Sequence, residues 1–486
     1  MAKYLYVCII ALCMTCTVAA RNVTGRWTGK LQIPGGQLTL VLRIQEGEGG
    51  KLSAFMDSPD QGAYDIPCDS VVYSAPYLKV FIHSIGARYE ATLDGDTLRG
   101  QFIQGGLSLP LVLTPSVEED RSALHPQEPK PPYPYQVEEV RFVNSTDGDT
   151  LAGTLTMPTT PGPHRAVVMI TGSGPQDRDE SLMNHKPFLV WSDALTKLGI
   201  AVLRFDDRGV GASTGNFSKA TTADFARDVE AAVDYLRSRK EIDNQRIGLI
   251  GHSEGGIIAP MVAVSRPKDV SFIVLLAAPG LRGDSILLMQ NEVISRHSHT
   301  PDSIREATVQ LNRSLFALLV PPTTDEEALR QSLAEVLRSA FFDGPLAPLM
   351  PHEQVELAIN QEMEMLTAPW MRDFLRYDPV PMLSRVQCPV LALQGSEDVQ
   401  VPAAANLPIV EKALTLHGNK AVTVKEFPGL NHLLQHCQTC LPDEYGEIRE
   451  TVSPEVLQFV GEWIMKRGTP MGNCPLRTIA ARRFCR

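Results

Sequence analysis

Hydrophobic and polar residues alternate in short segments through the N-terminal part of the chain. Apolar side chains occupy about every second position, which is the period of a half-buried β-strand. Examples are the segments 24–32, 38–44, 52–56, 77–83, 89–93, 98–103 and 109–113. Glycine pairs or Asp-Gly steps separate these segments about every ten residues. The pattern predicts a small antiparallel all-β domain over residues 22–118, closed into a barrel or a sandwich.

The pattern changes after a proline-rich stretch. Residues 119–136 contain five prolines, a density that predicts a stiff extended linker rather than a helix. Beyond it, apolar runs of strand length such as 166–170 and 200–205 alternate with helical patterns such as 222–240. The alternation predicts an α/β domain over residues 137–467, with a mostly parallel sheet covered by helices on both faces.

An insertion of helical segments interrupts this alternation between about residues 281 and 383. Its position after a central strand predicts a helical lid over the edge of the sheet where the parallel strands end. Trp370, Phe374 and Tyr377 lie near helical spacing within it. This spacing favours side chains of the lid core, which often border a substrate pocket. The substrate-binding residues stay unassigned.

The N-terminus has the pattern of a secretory signal peptide over residues 1–20. Lys3 supplies a positive charge, residues 4–18 are almost wholly apolar, and Ala19-Ala20 are the small residues that signal peptidase requires. The apolar run is too short for a transmembrane anchor, and no later stretch reaches the necessary length. We therefore expect an exported chain, periplasmic or secreted, that begins near Arg21 and has no stable membrane anchor.

Composition and charge exclude several classes of protein. Of the 486 residues, 43% are hydrophobic and 21% are charged, which argues against a disordered or multi-span membrane protein. The net charge of −11 disfavours binding to nucleic acid. Three of the nine cysteines lie in the signal peptide, so the remainder are too few to define the fold. Cys474 and Cys485, in a C-terminal tail over residues 468–486, are the most plausible disulfide pair.

Two segments match the Gly-x-Ser-x-Gly pattern of a serine nucleophile, one around Ser213 and one around Ser253. Ser253 follows an apolar strand and precedes a helical pattern, as a nucleophile elbow requires, and the flanking glycines permit a sharp turn. Ser213 follows the loop 206–210, with no strand directly before it. We predict that Ser253 is the nucleophile and that Ser213 belongs to a structural loop.

Two later strand ends carry candidates for the acid and the base of a catalytic triad. A serine hydroxyl needs a base to remove its proton and an acid to orient that base. In hydrolases with an elbow they follow in the order Ser, acid, His. Strand 390–393 runs into Asp398 and strand 422–427 runs into His432. We predict Asp398 as the acid and His432 as the base, with Glu397 as the alternative acid.

Two backbone amides are candidates for an oxyanion hole, which stabilises the negative charge on the substrate oxygen. One is the amide of Glu254, the residue after the nucleophile. The other belongs to the glycine-rich loop after strand 166–170, where Ser173 is the first choice and Gly172 the second.

Four possible metal ligands offer a competing interpretation of the region around the predicted base: His432, His436, Cys437 and Cys440. The triad already accounts for the first histidine, and the two cysteines of an exported Cys-x-x-Cys can be oxidised. We therefore expect neither a metal ion nor an organic cofactor.

The motifs resemble those of the α/β-hydrolase superfamily. They are Gly251-His252-Ser253-Glu254-Gly255, Gly395-Ser396-Glu397-Asp398, Asn431-His432 and a loop of the Asp-x-Arg-Gly-x-Gly-x-Ser type that includes residues 207–213. Further segments are similar to exported bacterial esterases of the serine-aminopeptidase-like branch, which carry an N-terminal β domain; they are 171–179, 250–261, 370–379, 388–406 and 427–432. The resemblance implies an α/β-hydrolase fold and the hydrolysis of small carboxylic esters through an acyl-enzyme.

The first predicted strand carries a second resemblance, because Gly25-Arg26-Trp27 resembles the Gly-x-Trp of lipocalin-like barrels. Two roles of the β domain are open. It is either a structural appendage with Trp27 closing the base of the barrel, or a lipid-binding barrel. We favour the structural role, because small barrels fill their interiors with side chains.

Residues and resemblance together predict a serine hydrolase that cleaves a small-molecule ester. Ser253 would attack the ester carbonyl as His432 takes its proton, and water would then release the acyl group. An aminopeptidase-like or thioester hydrolase on the same triad is the alternative, and a catalytically inert binding module is a candidate of a different class. The complete Ser-Asp-His set argues against the inert module. Acyl-chain length and oligomeric state stay open.

Overall fold

A computed structural model describes residues 23–33, 36–59, 63–104, 107–117, 125–297, 301–349 and 351–467. The chain divides into two compact units, one up to Glu119 and one from Asp120 onward. The predicted signal peptide and the predicted C-terminal tail, with Cys474 and Cys485, lie outside the described residues.

The first unit is one antiparallel sheet of nine strands in the order β4-β3-β2-β1-β9-β8-β7-β6-β5. The strands are β1 (Gly25–Ile33), β2 (Gly36–Glu46), β3 (Leu52–Ser58), β4 (Ala63–Cys68), β5 (Ser70–Ser74), β6 (Tyr77–Ile82), β7 (Ala87–Asp94), β8 (Thr97–Gln104) and β9 (Leu107–Pro115). Alternate side chains face the interior, as Leu78, Val80 and Ile82 do in β6. The sheet is nearly closed, which confirms the predicted barrel-like all-β domain.

The interior of this sheet is only partly filled. Trp27 is buried and its Nε1 donates a hydrogen bond to the carbonyl oxygen of Val23 at 2.8 Å. Away from Trp27, a cavity of about 480 Å³ lies between the end of β1 and the start of β9. The expectation that side chains fill the interior is therefore wrong in this part of the barrel, where residues as small as Ser58 and Ala63 line the space.

The second unit contains an eight-stranded sheet in the order β10-β11-β13-β12-β14-β15-β16-β17. The strands are β10 (Gln136–Val143), β11 (Thr150–Met157), β12 (His164–Ile170), β13 (Ile200–Phe205), β14 (Ile242–His252), β15 (Phe272–Leu276), β16 (Val390–Gly395) and β17 (Val422–Phe427). β10 and β11 form an antiparallel hairpin, and the strands from β13 to β17 pair in parallel. This arrangement confirms the predicted mostly parallel sheet.

Helices cover both faces of this sheet. They are α1 (Pro187–Lys197) and α11 (Pro454–Lys466) on one face, and α2 (Thr222–Ser238), α3 (Gly255–Ser265) and α10 (Ala403–Thr415) on the other. Trp191 of α1 and Val460 of α11 pack on the first face, while Val229 of α2 and Val410 of α10 pack on the second. The strands are apolar on both sides because both sides are covered.

Within the described ranges, six α-helices belong to the insertion between β15 and β16. They are α4 (Gly283–His297), α5 (Asp302–Leu319), α6 (Glu326–Arg338), α7 (His352–Leu366), α8 (Pro369–Arg376) and α9 (Val380–Leu383). Leu319, Leu333 and Leu337 belong to an apolar core that these helices share. Phe374 of α8 belongs instead to a small cluster with Ile257, next to the catalytic elements. The insertion is the predicted helical lid.

The described part of the predicted linker, 125–135, has neither helix nor strand. It is held along the second unit by side-chain hydrogen bonds, including one of 2.9 Å from the hydroxyl of Tyr135 to Asp193. Among the helices of the described ranges, none is long and apolar enough to cross a bilayer.

Candidate active site

Ser253 lies in the tight turn between β14 and α3, with a φ of 53°. Residues other than glycine seldom adopt this conformation, and it stores strain. The amide of Ser253 donates to the carbonyl oxygen of Leu276 at 2.9 Å, which fixes the turn on β15. The glycines are required by close packing: a Cβ on Gly251 would lie 2.0 Å from the Gly255 oxygen, and one on Gly255 would lie 2.3 Å from the Ile170 oxygen.

His432 and Asp398 form a buried hydrogen-bonded pair, with 2.8 Å between His432 Nδ1 and Asp398 Oδ2. The other carboxylate oxygen accepts the amides of Gln400 at 2.9 Å and Val401 at 2.8 Å. These bonds hold the carboxylate in one orientation. An ionised Asp398 therefore places the imidazole proton on Nδ1 and leaves Nε2 able to accept another.

The alternative acid and the second serine have other partners. Glu397 is exposed, and its carboxylate accepts the hydroxyl of Ser396 at 2.9 Å. Ser213 Oγ donates to the Asp206 carbonyl oxygen at 2.7 Å and accepts the Ala152 amide at 2.9 Å. Ser213 therefore connects the loop after β13 to β11, as a structural residue does.

The amides of Ser173 and Glu254 both belong to residues that line the same cavity as Ser253 and His432. Within the described part of the chain, no acceptor lies at hydrogen-bonding distance from either amide. The amide of Gly172, by contrast, donates to Glu180 Oε1 at 2.7 Å. Of the two candidates in this loop, Ser173 therefore has the available N–H group.

Glu180 is a residue of this site that the sequence analysis missed. Its Oε1 lies 2.9 Å from His252 Nδ1, and His252 Nε2 lies 3.1 Å from the His432 carbonyl oxygen. Burial acts to lower the pKa of His252, but the charge and hydrogen bond of Glu180 outweigh it and the pKa is raised. Glu180 and His252 thus connect the loop of Gly172 to the segment that carries the base. No short-range pattern in the sequence marks Glu180 for this position.

The carboxylate of Glu254 connects the nucleophile turn to the lid. Trp370 Nε1, in α8, lies 2.9 Å and 3.0 Å from its two oxygens. The hydroxyl of Thr222 donates to the same carboxylate at 2.6 Å, and burial raises its pKa. Trp370, predicted as a side chain of the lid core, also holds the residue next to the nucleophile.

The motif Asp206-Asp207-Arg208 fixes the loop that carries Ser173. Asp207 accepts the hydroxyl of Thr171 at 2.9 Å and the amide of Gln176 at 3.0 Å, so it holds both ends of that loop. Burial raises the pKa of Asp207 to about 8. The motif is therefore a support for the loop rather than a source of reacting groups.

The cavity in front of Ser253 has a volume of about 190 Å³. Much of its wall is apolar and comes from the lid and the loops beside it: Pro279, Ile286, Leu287, Trp370, Phe374, Val401 and Leu433. Its two carboxylates, those of Glu180 and Glu254, both accept hydrogen bonds from protein groups.

The four residues of the competing metal interpretation do not form a ligand set. Cys437 and Cys440 are joined in a disulfide. His436 Nδ1 lies 2.8 Å from Glu450, and His432 is paired with Asp398.

Comparison with known proteins finds similarity to hydrolases over part of the chain. Residues 188–316 match the Hydrolase_4 family model, described as serine aminopeptidase, S33. Esterase EstD of Thermotoga maritima is 26% identical over 317 residues, which are 65% of this chain and 66% of EstD. The chain thus spans just under two thirds of the length of EstD. An uncharacterised 31.7 kDa protein of Escherichia coli is 24% identical over 216 residues, 44% of this chain and 68% of that protein.

A solved structure of an esterase from Pyrococcus furiosus is also similar, with 16% identity and a TM-score of 0.41, covering 72% of this chain and 96% of that one. The family match and the curated relatives agree with the predicted superfamily and branch. Over residues 188–316 the chain is similar to the serine aminopeptidase (S33) family, and over 317 residues it is similar to an esterase.

Proposed function

We propose that the chain hydrolyses small carboxylic esters through an acyl-enzyme, with Ser253, His432 and Asp398 as a catalytic triad. The observation that carries the proposal is the 2.8 Å pair of His432 and Asp398 beside a serine held at a φ of 53°. The strained serine turn and the oriented imidazole both border one cavity, which is where an ester must bind to react.

The reaction has two halves. In the first, Ser253 Oγ attacks the ester carbonyl carbon as His432 Nε2 takes the hydroxyl proton, and the amides of Glu254 and Ser173 stabilise the oxyanion. The carbon–oxygen bond to the alcohol then breaks, and His432 returns the proton to the leaving oxygen. In the second half, water attacks the acyl group, His432 takes a proton from that water, and the acid leaves as Ser253 regains its proton.

The cavity favours an uncharged acyl group of modest size. The apolar side chains of its wall give no partner for a charge, and its two carboxylates, Glu180 and Glu254, already accept hydrogen bonds from protein groups. An aminoacyl substrate would have to share one of these hydrogen-bonded carboxylates for its ammonium group, because an unpaired buried charge is costly. These observations support ester hydrolysis over the aminopeptidase alternative.

Labelling and a substrate panel test this proposal. We expect a fluorophosphonate to modify Ser253, as identified by peptide mass spectrometry. Because the cavity is only about 190 Å³, kcat/KM should be at least about tenfold higher for p-nitrophenyl acetate or butyrate than for the palmitate. Modification of another serine, or faster cleavage of alanine p-nitroanilide than of any ester, would contradict the proposal.

We also propose that the protein is exported. The apolar segment after Lys3 supports this, as does the Cys437–Cys440 disulfide, because disulfides persist mainly in oxidising compartments. Fractionation of expressing cells and intact-mass measurement should find a chain that begins near Arg21 outside the cytoplasm. A chain retained in the cytoplasm at full length would refute export.

A further inference from the structure

The cavity of the β unit is larger than the cavity at Ser253, about 480 Å³ against about 190 Å³. Of the twelve described residues that line it, ten are apolar, and the other two are Ser58 and Gln104. No ionisable side chain is among those twelve. Leu40, Met56 and Phe102 are buried, whereas Gln104 is exposed at the rim. The cavity therefore has an apolar interior and a polar, uncharged rim.

A space of this kind is unusual in a protein core. Core side chains normally leave few voids larger than a water molecule, and an apolar cavity of about 150 Å³ stays dry and binds benzene. Water needs two to four polar partners in a buried site, and among the described residues of this wall only Ser58 and Gln104 have polar side chains. Cavities of about 300–1,000 Å³ are the size that holds small organic ligands.

We propose that this cavity is a binding site for one alkyl chain, that of a fatty acid or a fatty alcohol, with its head group at the rim near Gln104. The aliphatic wall matches the chain, since burial of each methylene group is favourable. The described residues of the wall include no charged partner, so we place an ionised or hydroxyl head at the solvent side. No residue of the proposed triad takes part, and the site is independent of the proposed esterase activity.

Fluorescence titration of the full chain tests this site. The protein is first modified at Ser253 with a small fluorophosphonate, so that the catalytic cavity is filled and turnover is prevented. A fluorescent fatty acid such as parinaric acid is then titrated, with decanoic acid and decanol as competitors. We expect one probe to bind per chain, with displacement by either competitor; displacement by only one of them would still assign the site to an alkyl chain and would define its head group.

Cavity-filling variants locate the bound probe. Ala63→Phe on β4 and Leu38→Trp on β2 each place a larger side chain in the cavity and should weaken binding at least about tenfold. Val112→Phe is the matched control, because Val112 is 41% exposed on the outside of the same sheet, and its affinity should equal that of the parent. Thermal unfolding identifies any variant that has lost its fold. Because the two variants lie on different strands, one can still test the site if the other does not fold.

Three results would overturn the proposal. They are the absence of probe binding to the parent chain, affinities that are equal in the folded cavity-filling variants and the control, and binding that occurs only before Ser253 is modified.

Discussion

Replacement of Ser253 by alanine is expected to lower kcat for p-nitrophenyl acetate by about 10⁴-fold or more. The variant lacks the nucleophile, so the acyl-enzyme cannot form, and the remaining groups can only stabilise attack by water. Alanine fits the turn sterically as serine does, and the amide bond to Leu276 is a backbone bond. Turnover should therefore be lost while the thermal unfolding midpoint stays close to that of the parent.

Ser213→Ala is the matched control, because Ser213 stands in the second Gly-x-Ser-x-Gly match. Its hydroxyl bonds Asp206 and Ala152, so its removal leaves the Ala152 amide without its acceptor and should lower the free energy of unfolding by about 1–3 kcal/mol. We expect turnover within about tenfold of the parent. Our choice of nucleophile is wrong if Ser213→Ala is inactive and Ser253→Ala is active.

Replacement of Asp398 by asparagine is expected to lower kcat by about 10³–10⁴-fold. In the parent chain, one carboxylate oxygen of Asp398 bonds His432 and the other accepts the amides of Gln400 and Val401. If the NH₂ group of an asparagine faces His432, it favours the tautomer whose Nε2 already carries a proton and cannot act as base. If it faces the two backbone amides, its N–H groups point at the N–H groups of Gln400 and Val401, and the hydrogen bonds that orient the side chain are lost. Either orientation makes His432 a poorer base. The measurement is kcat with p-nitrophenyl acetate.

Glu397→Gln provides the control for the neighbouring carboxylate. Glu397 is exposed and bonds Ser396, so the substitution should change kcat by no more than about twofold. A large loss of turnover in Glu397→Gln, combined with an active Asp398→Asn, would assign the acid to Glu397 instead.

Local patterns in the sequence predicted most of the strands and the architecture of both units. The strand pattern of the β unit omitted β4 and β5. β4 contains Pro67 and pairs with β3 through a shifted register between Met56 and Ser58, and its alternation is correspondingly weak. Its place in the sheet is set by pairing with β3, which is a contact between segments that sequence periodicity does not report.

Some residues of the candidate site can be predicted from the local sequence, whereas others depend on contacts between distant segments. Ser253 could be selected because the residues immediately before and after it form a strand and a helix. Glu180 reaches its position through contacts with Gly172 and His252, and only the fold brings these together. The barrel cavity could not be predicted from the sequence either, because its volume depends on how side chains from different strands pack against one another.

Glu254 connects one helix of the lid, α8, directly to the turn of Ser253. In the proposed mechanism its backbone amide stabilises the oxyanion, while its carboxylate accepts hydrogen bonds from Trp370 of α8. Any withdrawal of α8 would leave this buried carboxylate with Thr222 but without Trp370 as a donor, and a change in its position would disturb the turn of Ser253. Apolar residues of α4 such as Ile286 and Leu287 line the same pocket and cannot form such a bond, so changes of substrate range in related chains should accumulate there rather than in α8.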